Sequence, residues 1–333
     1  MSKSRDIALL SGTCLTITLL FVWSLNVGEV HIPTSDIVSL LSGKTVENGA
    51  WSFIVEDRLN RTIMALMAGG ALSVTGLILQ VFFRNPLAGP GVLGISSGVT
   101  LGVALVVLGG FTFSGFGAEF SLIFSGLLGA ILILFILMYV AKFIRHSVTL
   151  LIVGLMLSYF TSAFVSALYH WADLEQSRQF IVWGLGSFEG VKTTSLAWIV
   201  PFVLALMSVL IFLIKPLNAF ALGEDYAKTM GINIKSTKII IIIVSSILTA
   251  VVTVYCGPVA FIGIAVPQIV RGFTASKSHQ MIIPMAIVFG ALFGISADLI
   301  VRLSGNLLPL NTITSLIGAP IIVWTIIRMN KRG

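Results

Sequence analysis

About ten stretches of this chain are each long enough and apolar enough to cross a bilayer, and nothing else in it constrains the fold so strongly. A crossing needs roughly 20 mostly apolar residues. That window selects Ile7–Val27, Arg61–Phe83, Val92–Gly110, Phe120–Ala141, Val148–His170, Leu196–Ile214, Ser236–Cys256, Val259–Phe273, Met281–Arg302 and Thr312–Arg328. The eighth is short and carries Pro267, which predicts a tilted, broken or partly buried segment. The first is too long for a cleaved signal peptide, and no small-residue cleavage pattern follows it. The expected fold is all-α, a polytopic helical bundle forming one unit over residues 1–333.

Charge sets the orientation. Only 10% of the 333 residues are charged and 57% are hydrophobic, whereas a soluble domain carries about 25% charged residues. The net charge of +7 comes from Lys and Arg scattered singly at the ends of apolar runs. That distribution argues against a nucleic-acid surface and for membrane orientation. With the N-terminus inside, 14 of the 20 basic residues fall in inner loops: Lys3, Arg5, Arg84, Lys142, Arg145, Lys215, Lys228, Lys235, Lys238, Arg271, Lys277, Arg328, Lys331 and Arg332. The other 6, Lys44, Arg58, Arg61, Arg178, Lys192 and Arg302, fall outside. The imbalance predicts an even number of crossings with both termini cytoplasmic. Two groups of four spans after a lead span would then have opposite topology, as inverted repeats do in transporters.

Several features are weak by themselves. Gly94 with Gly98, and Gly290 with Gly294, are spaced for close helix approach. Cys14 and Cys256 share no ligand spacing with His31, His146, His170 or His279, so neither a zinc site nor a disulfide scaffold is expected. Gly43-Lys44-Thr45 imitates the end of a phosphate-binding loop, but Val38 stands where the first glycine is needed. Any nucleotide chemistry must therefore come from a partner. Asp298 is the one acid well inside a span, and Arg302, four residues on, is its expected ion-pair partner.

A polar island, Ala221–Asn233, ALGEDYAKTMGIN, sits between two long apolar runs on the inner side. Gly223 can start a short helix, with Glu224 and Asp225 in its first turn, where the helix dipole favours acids. Ala227 and Lys228 follow, and Gly231 suits the left-handed residue that ends a helix. Leu222, Tyr226 and Met230 recur every fourth residue as one apolar stripe. A helix this short is marginal alone. It needs a surface, either its own bundle or a cytoplasmic partner.

LGEDYAKTMGI resembles the cytoplasmic coupling segment of FecCD-type permeases, the membrane subunits of ABC importers for iron-siderophore, haem and vitamin B12. The similarity runs through Arg58–Gly98, with its paired arginines and Asn85-Pro86-Leu87-Ala88 turn, and through Trp183–Gly190, Gly257–Arg271, Ala297–Arg302 and Leu308–Trp324. The resemblance implies that residues 217–234, centred on Gly223, Glu224, Asp225, Tyr226, Ala227, Lys228, Met230 and Gly231, dock into a separate ATPase. It implies that Arg58, Arg61 and Arg302 meet acids of an extracytoplasmic binding protein, expected to be a lipoprotein. Asn85, Pro86, Ser147 and Val148 would belong to the cytoplasmic gate. A second permease copy, itself or a paralogue, would complete the path, with lipid around it. ATP and magnesium would bind the partner ATPase, and this chain would carry no cofactor or metal. The expected cargo is a ferric siderophore, with haem and then cobalamin next; an ion-coupled secondary transporter is the alternative. Three positions depart from the family pattern: Asn60 stands for its proline, Gln268 for its histidine, and Pro309-Leu310-Asn311 for its P-V-G.

Overall fold

The apolar runs form helices in the computed structural model, which describes residues 2–44, 46, 48–111, 117–144 and 147–330. The helices are α1 (Ser2–Asn26), α2 (Thr34–Leu41), α3 (Ala50–Phe82), α4 (Ile95–Val107), α5 (Ala118–Val140), α6 (Ser147–Trp171), α7 (Leu174–Gly184), α8 (Thr193–Leu222), α9 (Glu224–Thr229), α10 (Ile234–Cys256), α11 (Ile262–Phe273), α12 (His279–Leu303) and α13 (Leu310–Asn330). A 3₁₀ turn, Pro90–Leu93, precedes α4. No strand occurs among the described residues. Arg145, His146, Lys331 and Arg332 lie outside the described residues, as do the side chains of Ser147, Val148 and Arg328.

Seven of these helices are long and apolar enough to cross a membrane, and three shorter apolar ones accompany them. Each of the ten sequence windows therefore coincides with an apolar helix, although the windows misjudge length. α3 has 33 residues and starts 11 before the predicted Arg61. At 1.5 Å per residue it is about 50 Å long, well beyond a hydrocarbon core of about 30 Å. Its early turns, with Arg58 and Arg61, therefore project past the apolar layer. α8 continues through Pro216 to Leu222, so residues 217–222 belong to a long helix and not to the inner connector expected there. The missing N–H of a proline is tolerated inside such helices because neighbouring groups satisfy the freed carbonyl.

α3 is the central helix, with 83% of its apolar window buried, against 11% for α1 and 28% for both α6 and α8. It packs along α12 through glycines. A Cβ on Gly290 would lie 2.3 Å from the Gly69 carbonyl oxygen, and one on Gly294 would lie 2.2 Å from that of Ala65. Ser73 Oγ donates to the Ala286 carbonyl at 2.7 Å across the same seam. Without a hydrophobic drive between helices in lipid, close backbone contact and such hydrogen bonds supply the association. Gly98 plays the matching part between α4 and α5, facing Gly129. Gly94 differs: it caps α4 at φ +76°, a conformation other residues rarely adopt.

α4 and α11, with 13 and 12 residues, are too short to cross alone. Irregular backbone at that depth must be enclosed by protein. Around α11, Ile262, Ala265, Val266 and Val270 are all buried. Pro267 sits inside α11 without breaking it. The residues that depart from the family pattern act as polar clamps. Asn60 Nδ2 donates to Thr193 Oγ1 at 2.9 Å, joining α3 to α8. Gln268 Nε2 reaches Gln80 Oε1 and the Pro86 carbonyl, both at 2.9 Å. Asn311 Oδ1 accepts from Ala260 N at 3.0 Å, and Asn311 Nδ2 donates to the Gly184 carbonyl at 3.1 Å.

Candidate functional site

The polar side chains singled out in the sequence gather at opposite ends of the bundle. At one end, the first part of α3 faces the last part of α12. Asp298, only 1% exposed, accepts from Arg61 Nε at 2.6 Å and lies 2.7 Å from Arg302 Nη2. The expected Asp298–Arg302 pair is thus present, but the carboxylate is shared with Arg61, 237 residues away. Helical spacing exposes an i, i+4 pair in the sequence, whereas the second partner comes from tertiary packing of α3 on α12 and leaves no local signal.

Each arginine has further anchors. Arg61 pairs with Glu189 at 3.2 Å and donates to Asn306 Oδ1 at 3.2 Å. Arg302 donates to the Ser24 carbonyl at 2.9 Å and to Thr62 Oγ1 at 3.1 Å. Arg58 donates to the carbonyls of Leu25 at 2.9 Å and Val30 at 2.5 Å. Gly28 makes room for this, since a Cβ there would lie 2.5 Å from the Arg58 guanidinium. All three arginines are 5–7% exposed, yet they line one cavity of about 210 Å³ with Glu29, Asp57 and Glu189. Buried guanidinium groups are retained where carboxylates and carbonyls satisfy their donors. The cluster ties α1, α3, α12 and the segment after α7 into one piece.

At the other end, α9 spans Glu224–Thr229, opened by Gly223 and closed by Gly231 at φ +76°. Gly231 N donates to the Lys228 carbonyl at 2.9 Å and Ile232 N to the Ala227 carbonyl at 3.1 Å, so the closing turn is hydrogen-bonded. Glu224 and Asp225 occupy the first turn, and Lys228 pairs with Asp225 at 3.2 Å. Ala227 is fully buried against the bundle. Leu222, Tyr226 and Met230 point away from it and are 67%, 47% and 60% exposed. The break at Gly223 leaves Leu222 on α8 and Met230 just past α9, so the predicted stripe becomes an exposed apolar patch around a helix whose one buried residue is Ala227.

Asn85 and Pro86, in the turn that follows α3, line a cavity together with Ala221 near the end of α8. Asn85 Oδ1 accepts from Leu87 N at 2.9 Å, and the Pro86 carbonyl is held by Gln268. The sequence proposed Ser147 and Val148 for the same gate; α6 does begin at Ser147. The sequence did not single out Gln80 and Gln268 as a pair, because residues 188 apart share no local pattern. Nor did it find Asn218, whose Oδ1 accepts from His279 N at 3.0 Å and joins the end of α8 to the start of α12. Among the described residues, no cluster of His, Cys, Asp or Glu could hold a metal ion.

A bundle of this architecture, with irregular half-length helices enclosed by long ones and a short helix standing proud of one end, is that of an ABC-type membrane permease. A solved metal-chelate type ABC transporter in an inward-facing conformation matches it with a TM-score of 0.82 at 27% identity, covering 96% of this chain and 99% of that one. The FecCD transport family matches residues 15–328, and the chain belongs to that family. It is a permease subunit of an ABC importer of this class and a multi-pass protein of the cytoplasmic membrane. Among curated relatives it is 32% identical to the vitamin B12 import system permease protein BtuC of Klebsiella pneumoniae, over 100% of this chain and 97% of that protein. It is 28% identical to the hemin transport system permease protein HmuU of Yersinia pestis, over 95% and 94%.

Proposed function

We propose that this chain is the membrane path of an importer for a bulky iron complex, with a ferric siderophore as first candidate. In this reading two copies, or this chain and a paralogue, enclose the path. ATPase subunits holding ATP and magnesium sit beneath α9 in the cytoplasm. An extracytoplasmic binding protein docks its carboxylates at the cavity of Arg58, Arg61 and Arg302. The observation that carries the reading is the exposed apolar patch of Leu222 at the end of α8, Tyr226 in α9 and Met230 just after it, around a short helix whose one buried residue is Ala227. ATP-bound and ATP-free partners would bias different states of the bundle, and a partner does so only through contacts that differ between those states.

Haem and cobalamin are the next cargo candidates, because relatives named for haemin and vitamin B12 match over nearly the whole chain. An ion-coupled mechanism has less support. It calls for ionisable groups free to titrate near the bilayer midplane, and Asp298 is committed to two arginines. The test is gentle extraction of the chain from its native membrane, with mass spectrometry of what co-purifies, repeated with Glu224–Met230 replaced by Gly-Ser. The reading expects an ATPase in the first eluate and its loss from the second. Radioiron uptake with ferric siderophore, haem or cobalamin as competitor then ranks the cargo. No ATPase in either eluate would sink the importer reading.

A further inference from the structure

The end of the bundle that carries α9 also holds a cavity of about 680 Å³, bordered on one side by Asn85 and Pro86 of the expected gate, whose basic residues the transport reading gives no role. Three cations reach it from three separate places: Arg84 in the turn after α3, Arg271 in the last turn of α11, and Lys277 in the α11–α12 loop. None of its lining residues is acidic. Among the described residues, no carboxylate lies within ion-pair distance of any of the three. Among the described residues, the acid bonded to this loop is Asp6, and its oxygens are taken up by the loop's backbone. It is fully buried, and its two oxygens accept from Ala275 N and Ser276 N, each at 2.9 Å. Asp6 thereby pins the loop that presents Lys277 without neutralising it.

Three guanidinium and ammonium groups facing a common space repel one another unless an anion or bulk water intervenes. The opposite end of the molecule makes the contrast plain, since Arg58, Arg61 and Arg302 each have a carboxylate or carbonyl partner from the chain itself. The cavity is not purely polar, however. Val81 and Ile282 contribute apolar surface, and Trp324, 54% exposed, stands at the rim. Tryptophan favours the headgroup level of a bilayer, and the cavity lies where α3, α11 and α12 all have their ends. A basic pocket between spans on the cytoplasmic side is suited to a phosphate headgroup. Cations alone would suit any phosphate; cations with an apolar, aromatic-rimmed wall suit one that carries acyl chains.

We infer that this cavity binds the phosphate of an anionic phospholipid from the inner leaflet, with Arg84, Arg271 and Lys277 as its ligands. The assignment does not rest on which cargo the importer carries. It is tested on the full-length chain in detergent, by native mass spectrometry during titration with phosphatidylglycerol or phosphatidylcholine. The wild type should prefer phosphatidylglycerol about tenfold, and R271Q/K277Q should reduce that preference to about twofold. The charge-keeping R271K/K277R should retain it, and so should K44Q/K192Q, which removes cations from the opposite end. An unchanged preference in R271Q/K277Q overturns the inference, as does an equal loss in K44Q/K192Q. Displacement of the lipid by millimolar inorganic phosphate would make this a site for free anions and overturn the lipid assignment. Release of the lipid on adding the co-purifying ATPase would assign the cations to a partner's acids and overturn it too.

Discussion

Asp298→Asn removes the only negative charge between Arg61 and Arg302 while keeping the side chain's shape. Deleting one partner of a buried ion pair costs about 3–5 kcal/mol, because the remaining charge stays buried without compensation. Here two cations lose a shared partner, at 2.6 and 2.7 Å. Both keep other acceptors: Glu189 and Asn306 for Arg61, the Ser24 carbonyl and Thr62 Oγ1 for Arg302. The asparagine oxygen can also still accept one hydrogen bond. These residual contacts place the loss at the lower end, about 3 kcal/mol. Reversible unfolding in mixed detergent–SDS micelles, followed by tryptophan fluorescence, gives the number. Glu189→Gln provides the comparison. Glu189 is half exposed, and screening limits such a pair to about 0–1 kcal/mol. The double variant Asp298→Asn/Arg302→Gln should lose less than the sum of its parts, since the second change removes a charge the first stranded. Asp298→Asn within about 0.5 kcal/mol of wild type would refute the argument that this carboxylate holds the end of the bundle together.

The same assay should show Gly290→Ala destabilised by about 1–3 kcal/mol, because its Cβ would meet the Gly69 carbonyl at 2.3 Å and the seam must open. Gly12→Ala, with nothing within 4 Å, should be neutral or slightly stabilising. Gln268→Leu should cost about 1–3 kcal/mol by leaving Gln80 Oε1 and the Pro86 carbonyl short of a donor, and a loss no greater than that of an exposed control would argue against the clamp. Tyr226→Glu/Met230→Glu should abolish recovery of the ATPase in the pull-down while leaving the unfolding curve within about 0.5 kcal/mol of wild type, since both side chains are exposed.

The long apolar runs, the capped polar island and the Asp298–Arg302 spacing were all legible in the sequence because each is a local pattern. Gly223, the two acids and Gly231 lie within nine residues, and the physics of a helix start and stop acts over that range. The α3 start was misplaced for a related reason. A hydropathy window stops at Glu56, Asp57 and Arg58, although those charges sit in an extension that need not be apolar. The second partner of Asp298, the Gln80–Gln268 pair and the cavity of Arg84, Arg271 and Lys277 were not legible, because each joins residues far apart in the chain. Basic residues were visible singly as orientation signals. Their convergence depends on how α3, α11 and α12 end relative to one another, which no window of one chain contains.

α3 brings the two ends of the molecule into one mechanical problem. The arginine–carboxylate cluster lies in its first turns, and Gln80 with the Arg84–Pro86 turn lies at its last, about 30 Å further along the axis at 1.5 Å per residue. Between them the glycine seam with α12 leaves no slack, since even one added carbon would collide with backbone. A pair packed to that tolerance moves as a unit, because close-packed interiors shift between discrete arrangements and do not deform continuously. The helices with the least buried surface after α1, α6 and α8, are the ones whose displacement breaks the fewest contacts. α8 leads through Gly223 into α9, and α9 leads in turn into α10. A load on the exposed Tyr226 and Met230 would therefore reach both α8, with 28% of its window buried, and α10, with 72%, and through Asn218 and His279 the start of α12. On the proposed reading, α9 therefore joins one helix that is lightly held to one that is firmly held, with the α3–α12 pair as the frame against which its motion is made.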